Sequence, residues 1–220
     1  MKNKPLLLIN VKTYPEALGK KGILLAKKLE KIKNKKFQIA IAPALLDIEE
    51  VAKNIYLPVF AQHTDPFAEG AHTGSVPLSE LKILGVSGTL LNHSERKIPF
   101  AVLKETVALC KKFKLTTVVC ASTLAEVKKV AQLKPEYLAY EPSELIGGNI
   151  SVTTAKPEII TKAVQAVKKI SPKTKVLCGA GVQNGEDVRK ALELGAKGIL
   201  VANAVVRAKN PEKVVEEMIK

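Results

Sequence analysis

Lys175-Val176-Leu177-Cys178-Gly179-Ala180-Gly181, then the helical stretch Glu186 to Leu194, then Gly198-Ile199-Leu200-Val201-Ala202, decides the fold of this 220-residue chain. Two short apolar runs, rich in β-formers, flank one amphipathic helix. Strands that read as continuous apolar runs, separated by helices, imply parallel pairing with both sheet faces buried.

The same unit recurs in both directions. Leu6-Leu7-Leu8-Ile9 precedes a helix from about Pro15 to Ile32, and Phe37 to Ala42 precedes one near Leu45 to Asn54. Leu57 to Ala61 is followed by a longer loop and a short helix around Leu78 to Leu84. Val86 to Leu91 leads to Phe100–Phe113, Thr116 to Cys120 to Leu124–Leu133, and Tyr137 to Tyr140 to Pro157–Ile170. After Ala202 a helical region runs through Met218. Eight β-α units argue for a (β/α)₈ barrel, a fold that needs at least about 200 residues. An open doubly wound sheet is the alternative, but the first strand is not followed by G-x-G-x-x-G. With no linker or internal repeat, residues 1–220 read as one barrel domain.

Composition narrows the function classes. The chain is 46% hydrophobic with a net charge of +14. Arg96, Arg189 and Arg207 are the arginines, so lysine supplies the other 32 of 35 basic residues. The lysines sit in amphipathic stretches such as Ala26-Lys27-Lys28-Leu29-Glu30-Lys31, the pattern of a solvated helix face. Aromatics are 4% with no Trp, which leaves little for base stacking, so no nucleic-acid partner is expected. The charge could instead steer anionic substrates. Cys110, Cys120 and Cys178 are far apart and outside any C-x-x-C spacing, which reads as buried thiols rather than a disulfide or zinc site. The apolar stretch Leu6 to Val11 is too short for a signal peptide or a membrane span, so a soluble, cytoplasmic protein without a membrane partner is expected.

Barrel enzymes carry their chemistry at the C-terminal strand ends. Here those ends offer Asn10 and Lys12; Gln62 and His63; Asn92, His93 and Glu95; Ser122; Glu141; Gly179 and Gly181; and Asn203. Glu141 closes the sixth strand and is followed by Pro142, a short segment with Leu145 and Ile146, then Gly147-Gly148. A carboxylate joined to a glycine-hinged segment suggests a general base beneath a lid. An ordinary strand-to-helix loop with a solvated glutamate is the alternative. Ser94 suits an N-cap, and Glu95-Arg96 could open a short helix beside His93, favouring a neutral, donating imidazole. Glycine and small residues at the last two ends fit a phosphate site.

Asn10-Val11-Lys12, Leu91-Asn92-His93-Ser94-Glu95-Arg96, Tyr140-Glu141-Pro142 with Ile146-Gly147, and Cys178-Gly179-Ala180-Gly181-Val182 together resemble the triosephosphate isomerase family in its compact archaeal form. The resemblance runs the length of the chain. It implies interconversion of dihydroxyacetone phosphate and glyceraldehyde 3-phosphate without metal or organic cofactor. It implies Glu141 as base, His93 as donor to the oxyanion, Lys12 for the phosphate and enediolate charge, and Glu95 as a carboxylate near that lysine. Asn10 then binds substrate or orients Lys12, and Ile146, Gly147, Gly181, Ala202 and Asn203 hold the phosphate. Asn203 departs from the expected serine, and Ser143 and Gly148-Asn149 depart from the expected lid. The loop Gln62 to Ser75, with Gly70-Ala71-His72-Thr73-Gly74, resembles the family's loop that enters a neighbouring subunit, so a homodimer or homotetramer is expected. A sugar-phosphate epimerase is the nearest enzymatic alternative, and would need a metal set or paired aspartates at strand ends. A non-catalytic barrel that binds anions or nucleic acid with its lysine-rich exterior is the other.

Overall fold

The computed structural model describes residues 4–34, 36–142 and 157–220. Eight parallel strands run β1 Leu6–Asn10, β2 Gln38–Ala42, β3 Phe60–Ala61, β4 Gly88–Leu91, β5 Thr116–Ala121, β6 Tyr137–Tyr140, β7 Lys175–Cys178 and β8 Gly198–Val201. They pair in the order β2-β1-β8-β7-β6-β5-β4-β3. A parallel bridge from Ile41 to Val59 joins the two ends, so the sheet is a nearly closed barrel rather than an open layer.

The α-helices described are α1 Lys20–Glu30, α2 Ile48–Asn54, α3 Leu78–Ile83, α4 Phe100–Lys112, α5 Leu124–Ala131, α6 Pro157–Ile170, α7 Gly185–Glu193, α8 Asn203–Val206 and α9 Pro211–Met218. The expected helix from Pro15 to Ile32 is two pieces, a 3₁₀ turn Pro15–Ala17 and α1, because Gly19 takes φ +55° between them. The third strand is shorter than Leu57–Ala61. Pro58 has no N–H for the ladder, though its carbonyl accepts from Ile41 N at 3.1 Å. The closing helical region likewise splits into α8 and α9, with Asn210 capping the second through Lys213 N.

The period-two alternation of the strands sorts the core. Leu6, Leu8, Ala40, Ala42, Phe60 and Leu90 pack together inside the barrel with Val118, Cys120, Ala139, Leu177 and Leu200. Leu7, Ile9 and Val11 instead face the helix layer with Leu25, Leu29 and Val215. Each strand is thus apolar on both faces, and fully burying one such leucine contributes about 2 kcal/mol. Gly198 marks a close approach: a Cβ there would lie 2.1 Å from the Leu6 carbonyl oxygen, so only glycine lets β8 dock on β1. All three cysteines are buried and free.

Because each helix between two strands returns the chain from the top of one to the bottom of the next, charge is sorted along the barrel axis. First turns carry acids, such as Glu49, Glu80, Glu158 and Glu186, at the C-terminal strand end. Last turns carry lysines, such as Lys111, Lys112, Lys168 and Lys169, at the opposite end. Each sign complements the nearby helix dipole. Among the described residues no helix is long and apolar enough to cross a membrane.

Candidate active site

The strand ends converge as the barrel requires. Asn10, Lys12, His93, Glu141, Gly181, Ala202 and Asn203 line one pocket at the C-terminal mouth. Tyr14, Gly179, Val182 and Gln183 line it too. Glu95 lies outside that pocket, on the far side of Lys12, where it borders a neighbouring cleft with Gln62, His63 and Arg96. Ile146 and Gly147, and the lid variations at Ser143, Gly148 and Asn149, lie outside the described residues.

Glu141 follows directly on β6 and is 3% exposed. Its backbone N–H donates to the Ala121 carbonyl at 2.9 Å, which anchors it to the end of β5. Its Oε1 lies 3.6 Å from His93 Nε2, too far for a strong hydrogen bond. Its Oε2 is buried without a hydrogen-bond partner. Burial pushes the Glu141 carboxyl above the usual glutamate range, against the opposing pull of His93, the Cys120 thiol and Lys12. The site thus holds a desolvated carboxyl group facing His93 across 3.6 Å.

His93 begins a tight turn after β4. Its Nδ1 accepts the backbone N–H of Glu95 at 3.2 Å, and the Arg96 N–H donates to the His93 carbonyl at 2.8 Å. A ring nitrogen that accepts carries no proton, so the imidazole hydrogen sits on Nε2, facing Glu141 and the pocket. The Glu95 carboxylate is 3.7 Å from Nδ1, beyond hydrogen-bond distance, and its other oxygen is taken by Lys12, so the backbone contact sets the tautomer.

Lys12 sits at φ +49°, a conformation few residues other than glycine adopt. Two side chains hold it there. Asn10 Oδ1 accepts the Lys12 N–H at 3.0 Å, and Gln62 Nε2 donates to the Lys12 carbonyl at 2.9 Å and to that of Ala42 at 3.2 Å. Lys12 Nζ is 2.6 Å from Glu95 Oε1. Gln62 was visible from sequence as a strand-end residue, but nothing local told that it serves Lys12; Tyr14 carried no signal at all.

Gly181, at φ +66°, and Ala202-Asn203, at the start of α8, form the wall across the mouth from His93. Among the described residues no group of three or more His, Cys, Asp or Glu is arranged to hold a metal ion.

The chain matches the family model described as triosephosphate isomerase over residues 5–218. It is 44% identical over 216 residues to a triosephosphate isomerase of Methanocaldococcus jannaschii, covering 98% of this chain and 99% of that protein. The same enzyme of Methanothermus fervidus is 41% identical, and that of Methanobrevibacter smithii 40%, each over 99% of this chain and 98% of theirs. Barrel, mouth and full-length similarity agree, and the chain belongs to the triosephosphate isomerase family.

Proposed function

We infer that this chain interconverts dihydroxyacetone phosphate and D-glyceraldehyde 3-phosphate, a step shared by glycolysis and gluconeogenesis. The observation that carries the reading is the buried Glu141 carboxyl at the pocket, with Oε1 3.6 Å from His93 Nε2, while His93 Nδ1 accepts a backbone N–H. Glu141 takes a proton from the carbon next to the carbonyl. The released electron pair forms the C=C bond of an enediolate, and charge moves to the carbonyl oxygen. His93 Nε2–H donates to that oxygen, and the Lys12 ammonium stabilises the negative charge. The hydroxyl proton of the neighbouring carbon passes to the first oxygen, with His93 Nε2 as the relay, while protonated Glu141 returns its proton to that neighbouring carbon, whose oxygen becomes the new carbonyl; this completes an aldose–ketose exchange with no net oxidation. A raised carboxyl pKa brings the base closer to neutral working pH.

Lys12 also meets the substrate phosphate, with Gly181, Ala202-Asn203 and the segment Ile146-Gly147 supplying backbone donors. Glu95 holds the Lys12 ammonium in place at 2.6 Å before substrate arrives, and Asn10 fixes the backbone of the same turn. We read the protein as a cytoplasmic homo-oligomer. Exposed Phe67 in the 62–75 loop and exposed Leu45, which borders one cleft with Gln62, His63 and Val76, favour burial against a second copy.

The test is isomerisation of glyceraldehyde 3-phosphate by purified protein in EDTA, read through a coupled dehydrogenase. Turnover is expected. A folded sample that shows none would return the epimerase and anion-binding readings.

A further inference from the structure

Asn92 precedes His93 and takes φ +58°, the left-handed region that asparagine tolerates better than most residues when its side chain is hydrogen-bonded nearby. All of its amide is used. Oδ1 accepts the Ile98 N–H at 3.2 Å, which closes the turn carrying His93 and Glu95. Nδ2 donates to the Cys120 carbonyl at 3.0 Å and to Glu126 Oε1 at 2.7 Å. Glu126, on the first turn of α5, is held in turn by Lys97 Nζ at 2.7 and 2.9 Å and by the Ser122 N–H at 2.7 Å. Burial alone would raise its carboxyl, but the bonds from Lys97, Ser122 and Asn92 outweigh that and hold it below the usual range, so it is a charged acceptor.

We propose that Glu126 is a positioning residue for the reaction. It braces Asn92 in its left-handed conformation from behind, and so sets the aim of His93 Nε2 at the substrate oxygen. The route is short. Asn92 ties the His93 turn to the Cys120 carbonyl on β5, and the next residue of that strand, Ala121, accepts the Glu141 N–H. The brace therefore governs the separation of the two groups that must act on one substrate. A placement error of about 1 Å in such a pair can cost about 10²-fold in rate.

The competing account is that Glu126 merely caps α5. Glu126 shares that cap with Thr123, since the Thr123 side chain accepts the Glu126 N–H at 3.1 Å and Glu126 Oε2 accepts the Ser122 N–H at 2.7 Å, but neither bond involves Asn92. Thr123→Ala removes a cap and leaves the Asn92 contacts untouched, which separates the two accounts.

The inference rests on the assignment of His93, and the experiment keeps the two apart. Steady-state kinetics of E126A, E126Q, T123A, N92G, the double variant N92G/E126A and H93Q, with inorganic phosphate as a competitive probe, are the measurement. E126A is expected to lose about tenfold or more in kcat, with KM and the phosphate inhibition constant within about twofold. E126Q keeps an acceptor oxygen and recovers most of that loss, while T123A lowers Tm but not kcat. Glycine adopts φ +58° unaided, so E126A should cost far less in the N92G background than alone. Unchanged kcat in E126A, or additive losses in the double variant, overturns the brace while H93Q remains inactive. Near-normal turnover in H93Q overturns the site reading itself.

Discussion

Gly179 and Glu141 are packed so closely that a Cβ on Gly179 would lie 2.5 Å from Glu141 Cγ and 3.1 Å from its carboxylate carbon. The end of β7 therefore forms the floor on which the base rests. Gly179→Ala must displace the Glu141 side chain or the strand end, because real Cβ atoms do not approach that near. We expect a fall in kcat of about 10²-fold. Steady-state assays check this; a wild-type kcat in G179A would mean the base does not depend on that floor.

Glu141→Gln removes the base while keeping its shape, and turnover should drop by about 10²–10⁴-fold or more. Stability should move the other way. A carboxyl whose pKa is higher folded than unfolded gives the folded state the tighter grip on the proton. Stability then falls as pH climbs from the ordinary glutamate range to the raised value, and levels off above it. Glutamine has no such dependence. E141Q and the wild type should melt together near pH 4 and diverge in favour of E141Q as pH rises, in thermal melts across that range. The acid limb of wild-type kcat/KM should lie above the ordinary glutamate range. Parallel melting curves at all pH values would show that Glu141 is not desolvated.

The barrel and the residues that meet at its mouth were legible because both are local signals. Gly198-Ile199-Leu200-Val201 is a strand on its own evidence, and Glu141 or His93 at a strand end needs only the fold to be placed. What stayed hidden depends on contacts far apart in sequence. Gln62 serves Lys12 from fifty residues away, and Glu126 serves Asn92 from thirty-four. Their neighbours in the chain say nothing of either partner. The break at Gly19 was hidden for a different reason, because an amphipathic pattern continues across it while its positive φ is a tertiary outcome.

The 62–75 loop is closed at its neck by Asp65. Its N–H donates to the Val76 carbonyl at 3.0 Å, its Oδ2 accepts the Val76 N–H at 2.8 Å, and its Oδ1 meets His63 Nε2 at 3.0 Å. Above the neck, Phe67 and His72 stack with ring centroids 4.1 Å apart. A loop ordered before contact loses less entropy on docking. Asp65→Ala should therefore weaken self-association by tenfold or more, equivalent to about 1.4 kcal/mol, in sedimentation equilibrium. An unchanged association constant would remove the loop from the interface.

The net charge of +14 gives the last prediction, because its placement decides what it does. Lysine pairs close α4 and α6 at the barrel end opposite the mouth, whereas the first turns of α2, α3, α5, α6 and α7 carry acids toward the mouth. Field lines from the far face reach the pocket only through the protein's width and an ionic atmosphere with a screening length of about 8 Å at physiological salt. Lys12, by contrast, lies inside the pocket and is unaffected by that distance. Replacing exposed Lys112, Lys169 and Lys173 with glutamine should leave kcat/KM for glyceraldehyde 3-phosphate within about twofold at physiological salt. Steering by these charges would instead give losses of about tenfold or more that vanish at high salt. Such a loss in the triple variant would mean that the far-face lysines guide the substrate after all, and that the axial sorting of charge does not isolate the mouth.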